Sequence, residues 1–437
     1  MQNEKNITRR NFLRLCGGAV LMLSTGCGLM EAAVKPAAAV KNVTRSAVRR
    51  LTGEMDARYI RQIITSNPAV SRMIMWQSDA AEEGAGVEYR LPGSDTSQTA
   101  PASSEAFTDD GVTVYLHAAP IADLEPDTDY EYRIVKDSSG TDWHPFHTPA
   151  EAAAFKALIF PDSQSSDYSD WQALAQNAAQ RNPDAQFFVN MGDLVDNGED
   201  HLQWTLWMDA VAGIQDRLPF VPIMGNHETY TLDWKVRLPE AYLHEFQVPD
   251  NGSSQFQRYY YSFDYGDVHF SVLNTQFDET NDFKPGLFDE QMAWFRRDAA
   301  QSKKKWKIVL MHKDILTYGI HNRPERVPGI GDIGRSFMPV FDELGIDLVL
   351  TAHLHTYRNR GHLYNFEPAD RGPLYILTGV AGNVRYPGLW IDHALDKTIA
   401  PQPETDNYLT LEADASHLRI QCFQPDGTKN DHAELTK

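Results

Sequence analysis

Past residue 155 the chain alternates between short, unbroken apolar runs and longer segments of mixed polarity. The apolar runs fall at 157–160, 187–190, 220–224, 268–273, 308–311, 348–351 and 374–378. Runs this short with no polar alternation predict strands buried on both faces. Between some of them lie stretches at 170–181, 202–214, 290–302 and 336–344 that read as helices. The order predicts an α/β domain, closed by a further β-like segment at 408–423. Residues 59–148 read differently. Short β-type runs at 71–76, 112–117 and 130–134 are separated by turn pairs such as Pro92-Gly93 and Pro126-Asp127. That pattern predicts a small all-β sandwich ahead of the α/β part. No internal repeat or low-complexity tract interrupts either region.

Composition narrows the function. The 437 residues allow one to three domains and a large core. A hydrophobic share of 42% and a charged share of 23% are ordinary for a soluble globular protein. The formal net charge of -20 repels nucleic-acid backbones and excludes nucleic acid as a partner class. A small phosphate substrate stays open, because a bound cation can overrule the global field locally. The cysteines are Cys16, Cys27 and Cys422, too few for a disulfide framework or a thiolate-held zinc. Any metal must be held by oxygen and imidazole nitrogen.

The chain opens with Thr8-Arg9-Arg10-Asn11-Phe12-Leu13 and then an apolar stretch at 19–23. That stretch is far shorter than the about 20 apolar residues of a membrane span. Residues 1–30 resemble a twin-arginine export signal, with 31–55 as a linker. The resemblance implies the twin-arginine export machinery as a partner and an extracytoplasmic bacterial location: periplasm, cell surface or secreted. Cys27 follows Leu23-Ser24-Thr25-Gly26, which resembles a lipoprotein cleavage site with Ser24 where leucine is usual. A lipid anchor at Cys27 and simple soluble export both stay open.

Polar ligand-type residues stand just after the apolar runs. Asp162 follows 157–160, Asp193 follows 187–190, and Asn226 and His227 follow 220–224. His312 follows 308–311, and His353 and His355 follow 348–351. In an open α/β sheet, groups at the carboxyl ends of strands gather on one rim. Aspartate, asparagine and imidazole suit Zn, Mn or Fe, and one carboxylate can bridge two such cations.

The series Asp162-Ser163-Gln164, Gly192-Asp193-Leu194-Val195-Asp196, Gly225-Asn226-His227-Glu228, His312 and His353-Leu354-His355 resembles the motifs of the calcineurin-like metallophosphoesterases. Weaker matches are Tyr261-Ser262-Phe263, Val268-His269-Phe270 and Gln291 with Trp294. Residues 124–133 are similar to the tyrosine-bearing corner of fibronectin type III-like domains, as in purple acid phosphatase-like members. The resemblance implies a four-layer α/β (α+β) catalytic domain at 151–437 behind a fibronectin-like sandwich at 56–150. It implies hydrolysis of phosphate monoesters by water activated between two metal ions, of Zn, Mn or Fe. Asp162 and His355 would bind the first ion, Asp193 would bridge, and Asn226, His312 and His353 would bind the second. His227 would protonate the leaving oxygen, with His321 as a second histidine facing the phosphate. Gln164 stands where most members have histidine and offers an amide oxygen to the first ion. Asp196 replaces the tyrosine of purple acid phosphatases, so an iron–tyrosinate colour is not expected. Pro161 and Ala352 replace glycines without removing ligands. A phosphodiesterase or nucleotidase on the same site, and a non-catalytic surface-binding protein with a relic metal site, are the alternative readings.

Overall fold

The computed structural model describes residues 55–401 and 405–437. The export signal, Cys27 and the linker as far as residue 54 lie outside the described residues.

The apolar runs form strands as their pattern predicts, in two mixed sheets. In the first, Phe155–Phe160, Phe187–Asn190 and Phe220–Pro222 run parallel. Tyr408–Ala413, His417–Phe423 and Lys429–Thr436 continue it antiparallel on one side. In the second, Val268–Leu273, Trp306–Met311, Leu348–Thr351 and Leu374–Gly379 run parallel. Tyr261–Tyr265 and Thr356–Tyr364 flank them antiparallel. The sheets face each other through aromatic side chains. Phe187 meets Phe263 edge-on at 6.0 Å and Phe270 at 5.8 Å, the offset geometry that aromatic pairs prefer.

Helices cover the outer faces. Ser169–Arg181 lays Trp171 edge-on to Phe160 at 5.0 Å, and His201–Ala210 brings Trp207 to 5.2 Å from Phe220. On the other side Leu287–Gln301 and Asp332–Leu344 meet through Phe295 and Phe341. The result is the helix, sheet, sheet, helix order expected. Two helices depart from their sequence reading. Asp332–Leu344 begins before 336 and runs through Pro339, while His201–Ala210 ends before 214 in a turn.

The strands before residue 150 form two layers, as the β-sandwich reading predicts. Gln98–Pro101, Gly86–Arg90, Thr128–Lys136 and His144–Thr148 make one sheet. The Glu125 backbone N–H donates to the Tyr130 hydroxyl at 3.0 Å, which is the tyrosine corner. The other layer is not a separate sheet. Arg58–Ile63 pairs in parallel with Phe220–Pro222 through Ile63 and Phe220, and Arg72–Ser78, Val112–Ile121 and Ser103–Asp109 follow it. One 10-stranded sheet therefore runs through both parts.

Candidate metal centre

Every predicted ligand sits in the turn that leaves a parallel strand, and the turns are tight. Asp193 has φ 49°, His353 φ 78° and His355 φ 50°, all left-handed for residues that carry a Cβ. Such conformations persist only where the surroundings over-determine them, and they cluster at functional sites. The closeness is visible at Gly225. A Cβ there would lie 2.1 Å from Asp193 Oδ1 and 2.3 Å from the Asp193 nitrogen, so only glycine lets the two loops meet.

The side chains converge in two overlapping groups. Asp193, His312 and His353 bring ligand atoms within 4.8 Å of one another, as do Asp162, Asp193 and His355. Asp193 belongs to both. His312 Nε2 lies 3.2 Å from Asp193 Oδ2 and 3.1 Å from Asn226 Oδ1. His355 Nε2 lies 3.1 Å from Asp162 Oδ2. The far ring nitrogens are anchored. His312 Nδ1 donates to the Met191 carbonyl at 3.0 Å and His355 Nδ1 to the Val384 carbonyl at 2.5 Å. Anchoring Nδ1 turns Nε2 inward, the arrangement that orients a metal-binding imidazole. The His353 nitrogen donates to both oxygens of Asp162 at 3.0 Å, which fixes that carboxylate.

Charge and burial fit a cation. The Asp162 and Asp193 carboxylates are buried. Burial pushes Asp193 upward, but the rings of His312 and His227 hold it below the usual carboxylate range. Burial would lower His312, yet Asp193 raises it to about 9. His353 is pushed well below its ordinary value by burial and by His312. Its Nδ1 is buried without a hydrogen-bond partner among the described residues, and so are both amide atoms of Gln164. Oxygen and nitrogen acceptors facing one another, some with no partner, are what a hard or borderline cation satisfies.

His227 stands beside the cluster. Its backbone N–H donates to Asp193 Oδ1 at 2.9 Å, and its Nε2 lies 3.9 Å from Asp193 Oδ2. Nδ1 donates to the Asp196 carbonyl at 2.6 Å. The Asp196 carboxylate is 3.4 Å from the same Nδ1, turned to His227. His321 is in neither group. It is exposed, on a loop whose Ile320 bridges to Trp390. Trp390 in turn donates to the carbonyl of Leu354, between the paired histidines.

The sequence reading gave Glu228 no role. Its buried carboxylate accepts from the backbone N–H of Gly225 at 2.6 Å, of Leu194 at 2.8 Å and of Asp193 at 3.0 Å. It ties the two loops together beneath the site. Burial and the Asp193 charge push it up to about 7. A buried carboxylate can be held by backbone N–H groups alone, and two of these donors come from a loop about 35 residues away in the chain. Asp314 was also missed. It receives two bonds from the buried Arg360 at 3.0 and 2.8 Å and one from Thr351 at 2.6 Å, linking the His312 and His353 loops.

Comparison with known proteins agrees with this geometry. The family profile for calcineurin-like phosphoesterases matches residues 141–357, and that for the purple acid phosphatase N-terminal domain matches 58–148. Purple acid phosphatase 15 of Arabidopsis thaliana is 28% identical over 209 residues, which is 46% of this chain and 36% of that protein. The alignment thus spans little more than a third of the plant relative. An uncharacterized protein of Mycobacterium tuberculosis is 24% identical over 393 residues, 82% of this chain and 72% of its own. The fold is similar to that of purple acid phosphatase PPD1 from yellow lupin, with a TM-score of 0.69 at 17% identity, covering 87% of this chain and 74% of that one. It is also similar to the structure of PhoD, with a TM-score of 0.57 at 13% identity, covering 86% and 88%.

Proposed function

We propose that this chain, whose residues 141–357 match the calcineurin-like phosphoesterase profile and 58–148 the purple acid phosphatase N-terminal profile, hydrolyses phosphate monoesters at two metal ions. One observation carries this reading. Asp193 is shared by two groups of ligand atoms, buried except for the half-buried His353, that each close within 4.8 Å. In the proposed arrangement Asp162, His355 and Gln164 serve one ion, and Asn226, His312 and His353 serve the other. Asp193 bridges them. Zn, Mn and Fe all suit this donor set. When bound, such ions supply charge neutralisation at the phosphate and hydroxide near neutral pH.

The protein's own groups do the rest. His227 is oriented by the bond from its Nδ1 to the Asp196 carbonyl. Nε2 is therefore the atom that hands a proton to the leaving oxygen, a contribution of about 10²–10⁴-fold. A relic site has no use for this anchored histidine, which speaks for turnover over mere binding. His321 is proposed to reach the phosphate from the rim. With Asp196 in the position of the family's tyrosine, the protein should lack a purple iron–tyrosinate band. The pair Arg9-Arg10 and the apolar stretch after it support export by the twin-arginine route to an extracytoplasmic site, with lipid attachment at Cys27 and soluble export both open.

The test is Asp193→Asn, assayed with p-nitrophenyl phosphate and bis(p-nitrophenyl) phosphate. The variant should fold and lose turnover by at least about 100-fold, the upper end of what a residue one contact removed from a metal costs. Wild type should prefer the monoester. Unchanged turnover in the variant would refute the assignment, and a diester preference would move the substrate class to phosphodiesters.

A further inference from the structure

A small hairpin over the site carries tryptophan where its backbone favours glycine. The Thr231 N–H donates to the Lys235 carbonyl at 2.8 Å, and the Trp234 N–H donates to the Thr231 carbonyl at 2.9 Å. Residues 232–234 thus form a three-residue loop whose last member is left-handed, with Trp234 at φ 60°. Loops of this kind ordinarily put glycine there, because a Cβ crowds the following carbonyl. Burial does not offset the strain, since Trp234 is 39% exposed. The surroundings enforce it. The Asn197 side chain donates to the Thr231 carbonyl at 3.0 Å, Leu232 N–H donates to Glu199 at 2.8 Å, and Tyr230 bridges to Val236. A strained residue held this firmly beside a reactive group points to function.

The indole has a defined place. It stands perpendicular to the His227 ring at 5.7 Å and tilted against Tyr230 at 5.9 Å. Beyond residue 150, the large exposed apolar side chains among the described residues are Leu232, Trp234, Phe283, Val327 and Ile391. All lie on loops that leave the carboxyl ends of parallel strands, the end that carries the metal ligands.

We infer that Trp234 determines specificity, and that the preferred substrates are phosphate esters of aromatic alcohols. This rests on the phosphoesterase reading, in which His227 protonates the leaving oxygen. The organic part of the substrate then lies against His227, where the Trp234 ring offers it a flat apolar wall. Aromatic groups gain most from such a wall, and small polyols gain least.

The test compares wild type, Trp234→Gly and Trp234→Phe in the metal-loaded full chain, with 1-naphthyl phosphate and glycerol 2-phosphate. Trp234→Gly should lower kcat/KM for the naphthyl ester about 10-fold, mainly through KM, the scale of a lost apolar pocket contact. Glycerol 2-phosphate should change by less than about twofold, and Trp234→Phe should recover most of the naphthyl activity. Equal losses on both esters would show a merely structural tryptophan and overturn the inference. If wild type turns over both esters and the variant leaves their ratio unchanged, this inference alone fails. If metal-loaded wild type turns over neither, the phosphoesterase reading fails with it.

Discussion

Single residues set the geometry of the centre. Gly225 is the sharpest case, because a Cβ there would meet the Asp193 carboxylate and nitrogen within 2.3 Å. Gly225→Ala should keep the fold, as judged by circular dichroism, and lower metal affinity by about 10–100-fold, the cost of disturbing a group that supports a ligand. Isothermal titration with Zn or Mn measures it, and undiminished affinity would mean the loops tolerate separation. The candidate ligands were legible in the sequence because each is a polar residue at the end of an apolar run. Glu228 was not, although it stands in the same motif as Asn226. Its work is to collect backbone N–H groups from another loop, and sequence spacing does not show which loop that is. Both amide atoms of Gln164 are buried without a hydrogen-bond partner among the described residues, which is compatible with the proposed ligand position.

Elements are joined by ion pairs. His269 joins the hairpin strand Tyr261–Tyr265 to helix Leu287–Gln301, with Nδ1 2.8 Å from Asp264 and Nε2 3.0 Å from Asp298. Burial would push the ring down, but the two carboxylates hold it up at about 9. A raised folded pKa means that the stabilisation is complete below about 6.5 and is lost as pH rises through about 9. His269→Gln should therefore abolish a fall in unfolding free energy of about 2 kcal/mol across that window, a figure reduced for the partly exposed Asp264. Urea titrations of both proteins at pH 6 and pH 9.5 check it, and parallel pH dependence would contradict it. The long parallel strands were legible because both their faces are buried. Thr356–Tyr364 was not, because its interior residues include Arg358 and Arg360. The Arg360 guanidinium is buried against Asp314 and Tyr318, so a charged run became a core strand through ion pairing.

At the scale of the molecule, the sandwich is part of the catalytic sheet as well as a neighbour of it. Besides the strand pairing, Arg61 is buried against Glu245 at 2.8 Å, Tyr132 donates to the Asp216 carbonyl at 2.8 Å, and Arg237 grips both oxygens of Asp109 at 2.9 Å. Calorimetry of the metal-loaded protein should show one unfolding transition, and two separated transitions would contradict this coupling. The sequence showed a sandwich and an α/β part but not their shared sheet. That contact is a single parallel register at Ile63 and Phe220 between segments far apart in the chain, and pattern alone does not pair distant strands. Asp193 is proposed to join two cation sites into one centre, which metal analysis of the native protein, read together with its phosphatase activity before and after chelation, tests most directly. About two equivalents of Zn, Mn or Fe per chain are expected, with activity lost on chelation and restored by metal. Metal-free protein that hydrolyses phosphate esters at the same rate would contradict it.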